Sequence, residues 1–379
     1  MTGRHILMLL SNAYSDDPRV RNEVRSLVDH GHRVTVVAWD RGATAPMEET
    51  LDSAHIVRVR HTAWMRSLRL DLLRLHGWWR LAVRTAERIH HADPVDAVHA
   101  HDLDTLPAGV RLKRSLGLPL VYDAHEIWGH MLSRDVPWPV PSWFHRKERR
   151  LVRAVDRIIT VNQVLVDHFT DMGAKAPIVL VQNARKVAVE KYTPPPGPGF
   201  TVLYVGRLNA ARFILPAIEA LSELPRVRLR IGGIGKPDYV ARVEAAAARA
   251  PNVEFQGRVP NPEVVPMTLA ADVVLHMLDP SDRNNRIATG NKLFEAMATG
   301  RPIITTEGTS DGETTRREGT GLVVPFDKGA LRDAVVRLQG DPDLARDLGR
   351  KALEAAKREY NWDVQEERLV AMYRGLLKD

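Results

Sequence analysis

Apolar, strand-like runs alternate with helix-like runs along almost the whole chain, and that alternation restricts the fold more than any single motif does. The first strand-like run occupies residues 5–10, a helix is predicted over 18–30, and a second strand over 33–38. Further strands are predicted at 55–59, 95–100, 118–122, 157–161 and 178–181. Strands separated by helical stretches close as βαβ units, so the expectation is an α/β fold with parallel sheets. The run Lys191-Tyr192-Thr193-Pro194-Pro195-Pro196-Gly197-Pro198-Gly199 interrupts the pattern. Proline removes backbone donors and fixes φ, so this stretch is neither helix nor central strand, and it reads as a hinge. The alternation then restarts, with strands predicted at 200–205, 227–231, 253–255, 273–276, 302–305 and 321–324. A chain of 379 residues is long for one core. Two domains are therefore expected, 1–186 and 187–360.

Composition narrows the function classes. Apolar content of 44% and charged content of 27% are those of a globular chain. The absence of cysteine excludes a disulfide framework, a thiolate metal site and a thiol nucleophile. The apolar run Ile6-Leu7-Met8-Leu9-Leu10 is far shorter than a signal-peptide core, and nothing approaches the roughly 18 apolar residues of a membrane span. The expectation is a soluble or peripheral protein, compatible with the cytoplasm. A formal charge of +7 and a pI near 9.7 suit nucleic acid, an anionic membrane surface or a phosphorylated substrate as partner.

One stretch points to chemistry. Asn291-Lys292-Leu293-Phe294-Glu295-Ala296-Met297-Ala298-Thr299-Gly300-Arg301-Pro302-Ile303-Ile304 reads as a charged helix start, an apolar helical face, a glycine stop and a β-branched strand. A carboxylate in the first turns of such a helix faces the crevice outside a sheet's carboxyl edge, where open α/β folds bind nucleotides. Glu295 could there accept hydrogen bonds from a ribose diol. The plainer reading is a helix-favouring residue near a positive dipole end.

The neighbours add a resemblance. Gly290 to Pro302, preceded by Val205-Gly206-Arg207-Leu208 and followed by Gly319-Thr320-Gly321-Leu322-Val323-Val324-Pro325, resembles the donor-nucleotide half of a retaining glycosyltransferase of family 4. Asp17-Pro18-Arg19-Val20, Gly31-His32-Arg33-Val34-Thr35-Val36-Val37, Val98-His99-Ala100-His101-Asp102 and Tyr122-Asp123-Ala124-His125-Glu126 extend the similarity over nearly the whole chain. The resemblance implies the GT-B architecture of two facing Rossmann-like domains. It also implies that the terminal helix over 361–379 crosses back onto the first domain.

It further implies a donor site in the second domain. A nucleoside diphosphate leaves with growing negative charge, and a cation beside it stabilises the transition state. Arg207 and Arg212 match the Gly-Arg-Leu motif and the basic residue five positions later, usually lysine. Gly290, Asn291 and Lys292 form the helix start, whose amides suit phosphate, and Glu295 matches the ribose glutamate. Many family members carry a second glutamate, for the sugar, where this chain has Ile287. Glu313 stands about where a further family glutamate follows a glycine-rich turn. In the first domain His125 matches the histidine that hydrogen-bonds the donor sugar. His101 and Asp102 are secondary catalytic candidates, as acceptor contacts or an acid/base pair, and Asp17 and Arg19 are placed on the acceptor side. The family needs no cofactor beyond the nucleotide sugar, and the weak Asp102-Leu103-Asp104 metal pattern reads instead as helix-capping acids, so metal independence is expected.

Between Arg58 and Arg88 basic residues interleave with Trp64, Trp78, Trp79 and leucines, and a second cluster runs through Trp138, Trp143 and Arg146 to Arg150. Such a segment suits an anionic membrane at the inner face of the cell and a lipid-linked sugar acceptor. An ordinary helix with leucines in the core and arginines in water fits equally, and no nucleic-acid motif accompanies the charge. A nucleotide-sugar epimerase and a non-catalytic nucleotide-sugar or lipid-binding partner remain open. A dehydrogenase is disfavoured, because Gly232-Gly233-Ile234-Gly235 lacks the glycine spacing and the ribose acid.

Overall fold

The computed structural model of the chain describes residues 3–15, 17–62, 71–127, 139–224 and 226–378. They divide into two compact units, Met1–Gln182 with Gln365–Asp379, and Asn183–Val364. The boundary thus falls a few residues before 186, and the proline-rich run 191–199 lies wholly inside the second unit rather than forming a hinge.

In the first unit the strands are β1 (His5–Leu10), β2 (Arg33–Trp39), β3 (Glu48–Leu51), β4 (Ala54–Val59), β5 (Ala97–His101), β6 (Leu120–Ala124), β7 (Arg157–Thr160) and β8 (Ile178–Leu180). They lie in the order β3-β4-β2-β1-β5-β6-β7-β8. Every pairing is parallel except β3 with β4, a short antiparallel edge whose charged Glu48 and Glu49 gave no strand signal in the sequence. All six residues of β1 are buried, as a parallel strand with both faces covered requires. The chain reverses its direction of travel between β1 and β5, the switch point where open α/β sheets bind ligands.

The second unit has β9 (Phe200–Leu208), β10 (Val227–Gly235), β11 (Val253–Phe255), β12 (Val273–His276), β13 (Ile303–Thr306) and β14 (Gly321–Val324), in the order β11-β10-β9-β12-β13-β14. Taken in sequence order this is 3-2-1-4-5-6, the order of dinucleotide-binding folds, with its switch point between β9 and β12. β9 and β10 run longer than expected because Gly206 and Gly233 lie opposite each other at φ of +154° and +149°. A Cβ on Gly233 would come within 1.7 Å of the Gly206 carbonyl oxygen. The glycines near 232–235 therefore serve strand packing, not a dinucleotide.

One helix expectation needs correction. The helix after β5 spans Leu106–Leu116 with Thr105 at its N-cap, so Asp102 and Asp104 do not cap it. Asp102 instead takes a left-handed φ of +63°, a conformation a non-glycine residue holds only when its surroundings demand it. The helix Asp71–Ala92 turns Leu75, Trp78, Ala82, Val83 and Ala86 into the core and leaves Arg80, Arg84 and Arg88 in water. Arg58 is fully buried, bonded to the Ala13 and Pro46 carbonyls and paired with Glu49, so it too is structural. Trp64, Arg66, Arg69 and Trp138 lie outside the described residues. The C-terminal helix Trp362–Leu376 belongs to the first unit from Gln365 onward, where Tyr373 is buried and bonded to His99 at 2.7 Å.

Candidate active site

At the carboxyl edge of the first sheet, β5 ends at His101 and β6 at Ala124, and both bring ionisable side chains to the switch point. Asp123, fully buried, is the hub. His101 Nδ1 lies 2.8 Å from Asp123 Oδ2, and His125 Nε2 lies 2.7 Å from Oδ1. Burial alone would push the Asp123 carboxyl up, but the neighbouring His125 charge and the His101 hydrogen bond, with the His99 ring 3.9 Å away, hold it well below the usual carboxylate range. His99 stacks on His101 with ring centroids 4.2 Å apart, and burial brings it down to about 4, so it stays neutral near pH 7. Beside it, burial and then the Asp123 charge push the Glu23 carboxyl well above its normal value.

The Asp102 backbone N–H donates to the Asp123 carbonyl at 2.8 Å, which locks its unusual conformation. Its side chain accepts from Arg19 Nη2 at 3.2 Å. Arg19 also lies 3.7 Å from Asp17, which caps the helix Pro18–Asp29 by accepting from the Val20 N–H at 3.3 Å. The structure thus brings His125, His101, Asp102, Arg19 and Asp17 into one network. Asp104 is buried next to it, and burial followed by the Asp102 charge pushes it up to about 7. Asp123, His99 and Glu23 carry no role in the sequence reading. The available signal was a carboxylate inside the otherwise buried strand Leu120–Ala124.

In the second unit the helix Asn291–Thr299 starts beyond Gly290, next to the ends of β9 and β12. Burial and the nearby Arg212 charge bring Lys292 down to about 8. Its Nζ lies 4.8 Å from the Tyr204 ring centroid, and a Cβ on Gly206 would stand 2.6 Å from it. Gly290 has no room for a side chain, since a Cβ would meet His276 Nε2 at 2.4 Å. His276 in turn is bonded to Asp311 at 2.7 Å, and Asp311 accepts the Gly290 N–H at 3.0 Å. This His276–Asp311 brace, absent from the sequence reading, fixes the helix start.

The other predicted donor residues divide. Arg207 is exposed on β9 itself, not in a turn after it, and lines a cavity of about 550 Å³ with Asn209, Lys236 and Tyr239. Arg212 is half-buried in the single 3-10 turn Ala210–Arg212. Asn291 is exposed at the first helical position. Glu295 is nearly buried, and its Oε1 accepts from Arg185 at 2.9 Å, so one oxygen is already engaged. Glu313 points into water and pairs with Arg316 at 2.6 Å, which separates it from the Lys292 cluster. Asp311, two residues earlier, does reach that cluster, as does Glu295. A larger cavity of about 830 Å³ opens at the opposite edge of the sheet, by Arg226, Arg228 and the proline-rich run, and none of the predicted residues lines it.

The comparisons agree with this arrangement. Residues 19–188 match the description "Glycosyltransferase Family 4", and residues 199–341 match "Glycosyl transferases group 1". The succinoglycan biosynthesis protein ExoL of Rhizobium meliloti is 25% identical over 330 residues, covering 81% of this chain and 78% of its own. A D-inositol 3-phosphate glycosyltransferase of Thermobispora bispora is 22% identical over 385 residues, covering 93% and 88%. Among solved structures, sucrose-phosphate synthase from Thermosynechococcus elongatus superposes with a TM-score of 0.80 at 20% identity, covering 98% of this chain and 99% of its own. Anabaena HepE in complex with UDP-glucose does so with a TM-score of 0.73 at 16% identity, covering 98% and 99%. Two doubly wound domains with ionisable clusters at their switch points thus define a glycosyltransferase of the GT-B fold. The chain belongs to glycosyltransferase family 4, group 1.

Proposed function

We propose that the enzyme moves a hexose from a UDP- or GDP-linked sugar to an acceptor hydroxyl with retention of configuration, and that the acceptor is a surface-polysaccharide or lipid-linked precursor. The carrying observation is the cation cluster around Gly290: Lys292 sits beside Arg212 with its own charge disfavoured by burial, a state that an incoming diphosphate relieves. Arg207, Arg212, Lys292 and the amides after Gly290 are assigned to the diphosphate, and the free oxygen of Glu295 to the ribose. The leaving phosphate accepts the acceptor proton, so the chain contributes positioning and charge rather than a nucleophile. His125, held by Asp123, is assigned to the donor sugar, and His101, Asp102, Asp17 and Arg19 to the acceptor. The ExoL relative, named for succinoglycan biosynthesis, and the HepE structures with UDP and glucose support this substrate class.

The test is incubation with nucleotide sugars and candidate acceptors in excess EDTA, with the product's anomeric configuration read by NMR. Transfer with retention is expected. Conversion of the free donor without acceptor would instead identify an epimerase, and inversion would refute the mechanism.

The exposed stripe Arg80, Arg84 and Arg88 is assigned to an anionic membrane surface. No helix among the described residues is long and apolar enough to cross a membrane. Co-sedimentation with phosphatidylglycerol vesicles should exceed that with phosphatidylcholine and fall in the triple substitution to glutamate. Equal binding to both vesicle types removes the assignment.

A further inference from the structure

Outside the site just described, a second set of metal-competent side chains is drawn from two helices. His145 and Glu148 are three residues apart on Pro139–Leu151, a spacing that puts them on one helix face. His168 comes from Gln163–Asp171. One ligand atom from each of the three lies within 4.8 Å of the other two. Glu148 is fully buried; its Oε1 accepts the Tyr122 hydroxyl at 2.7 Å, and its Oε2 has no hydrogen-bond partner. A carboxylate taken out of water with one oxygen unsatisfied is costly unless a proton or a cation neutralises it.

We propose that His145, Glu148 and His168 bind a divalent transition-metal ion, Zn²⁺ by ligand chemistry, in a three-coordinate protein site completed by water. Two imidazoles and one carboxylate suit Zn²⁺, and the chain has no thiolate to compete. Bonds of about 2.0–2.2 Å set ligand atoms roughly 3.4 Å apart, so binding draws the three side chains together, with the exposed His145 the freest to rotate. Exposure of His145 also gives the ion its route in. Lys147, on the same helix, is turned to Trp79 and Trp143, with its Nζ 3.9 and 4.6 Å from their ring centroids. The other candidate set, Glu23, His99, His101 and Asp123, is fully buried, and its hub Asp123 is already engaged by His101 and His125. An ion at Glu148 would pin the helix Pro139–Leu151 to β6 through Tyr122, the residue that precedes Asp123. The role is structural and does not depend on the transferase reading.

The test uses chelator-treated full-length protein titrated with Zn²⁺ by calorimetry and with Co²⁺ by visible absorption. One equivalent should bind, with the intense d–d absorption of tetrahedral Co²⁺. Loss of an outer-sphere partner of a metal ligand costs about 10–100-fold in affinity. Tyr122→Phe should therefore weaken binding about 10-fold, and His145→Ala, His168→Ala and Glu148→Gln by more. His145 is exposed and glutamine is the isostere of a protonated Glu148, so these two variants keep the fold, as their melting curves will verify. Absence of saturable binding in the parent protein overturns the proposal. So does binding that survives all three ligand substitutions, which would put the ion on another set of side chains.

Discussion

Asp123 holds both His101 and His125 while fully buried, so neutralising it releases two rings at once. Asp123→Asn should lower kcat by about 10²-fold or more while the donor KM changes little, because misplacing a catalytic group costs rate more than binding. Equal losses in both parameters would make Asp123 a merely structural acid. Glu148 gives a pH prediction. Burial pushes it up to about 7 from the usual value near 4.5, so between those values the native state holds more protons than the unfolded one. Stability from this group therefore falls as pH rises through that window. In chelator, the melting temperature of Glu148→Gln minus that of the parent should grow between about pH 4.5 and 7. A flat difference shows that the carboxylate ionises normally. Most of the motif residues could be found from sequence, since their types and order survive in Asp17-Pro18-Arg19 and in the stretch from Gly290 to Glu295. Their partners could not. Arg185 meets Glu295 across 110 positions and His276 meets Asp311 across 35, and no local pattern encodes either pair.

The strands were readable because parallel strands buried on both faces are continuous apolar runs. Their ends were less so. β5 and β6 each end later than expected, which puts His101 inside its strand and His125 directly after Ala124. The short β3 escaped because it begins with two charged residues at an edge, Glu48 in water and the half-buried Glu49 against Arg58. Among the helices, Asp71–Ala92 is anchored by Trp78, fully buried and stacked on Trp39 at 5.6 Å between centroids. Trp78→Ala should cost about 3–5 kcal/mol in denaturant unfolding. A cost under about 1 kcal/mol would contradict the core assignment. Gly290→Ala would force a Cβ against His276 and should destabilise by about 1–3 kcal/mol and weaken nucleotide binding. An unchanged nucleotide affinity would remove this glycine from the donor site.

For the whole molecule, the two-domain α/β organisation was legible from the restart of the strand–helix alternation after residue 199. The division of the chain was legible to within a few residues of 186, although the proline-rich run belongs to the second unit. Arg58 with Glu49 and Arg60 with Asp40 are charge-neutral pairs within the fold, so the formal excess of +7 is carried by other residues. We assign nucleoside diphosphate binding by the second domain to the cation cluster at Gly290. The most direct test is calorimetric titration of UDP, GDP, ADP and TDP into the parent protein, Lys292→Ala, Arg207→Ala and Asp123→Asn. One nucleotide should bind, with affinity reduced at least about 10-fold by the first two substitutions and unchanged by Asp123→Asn. Binding of none of the four, or binding indifferent to Lys292 and Arg207, would contradict the claim.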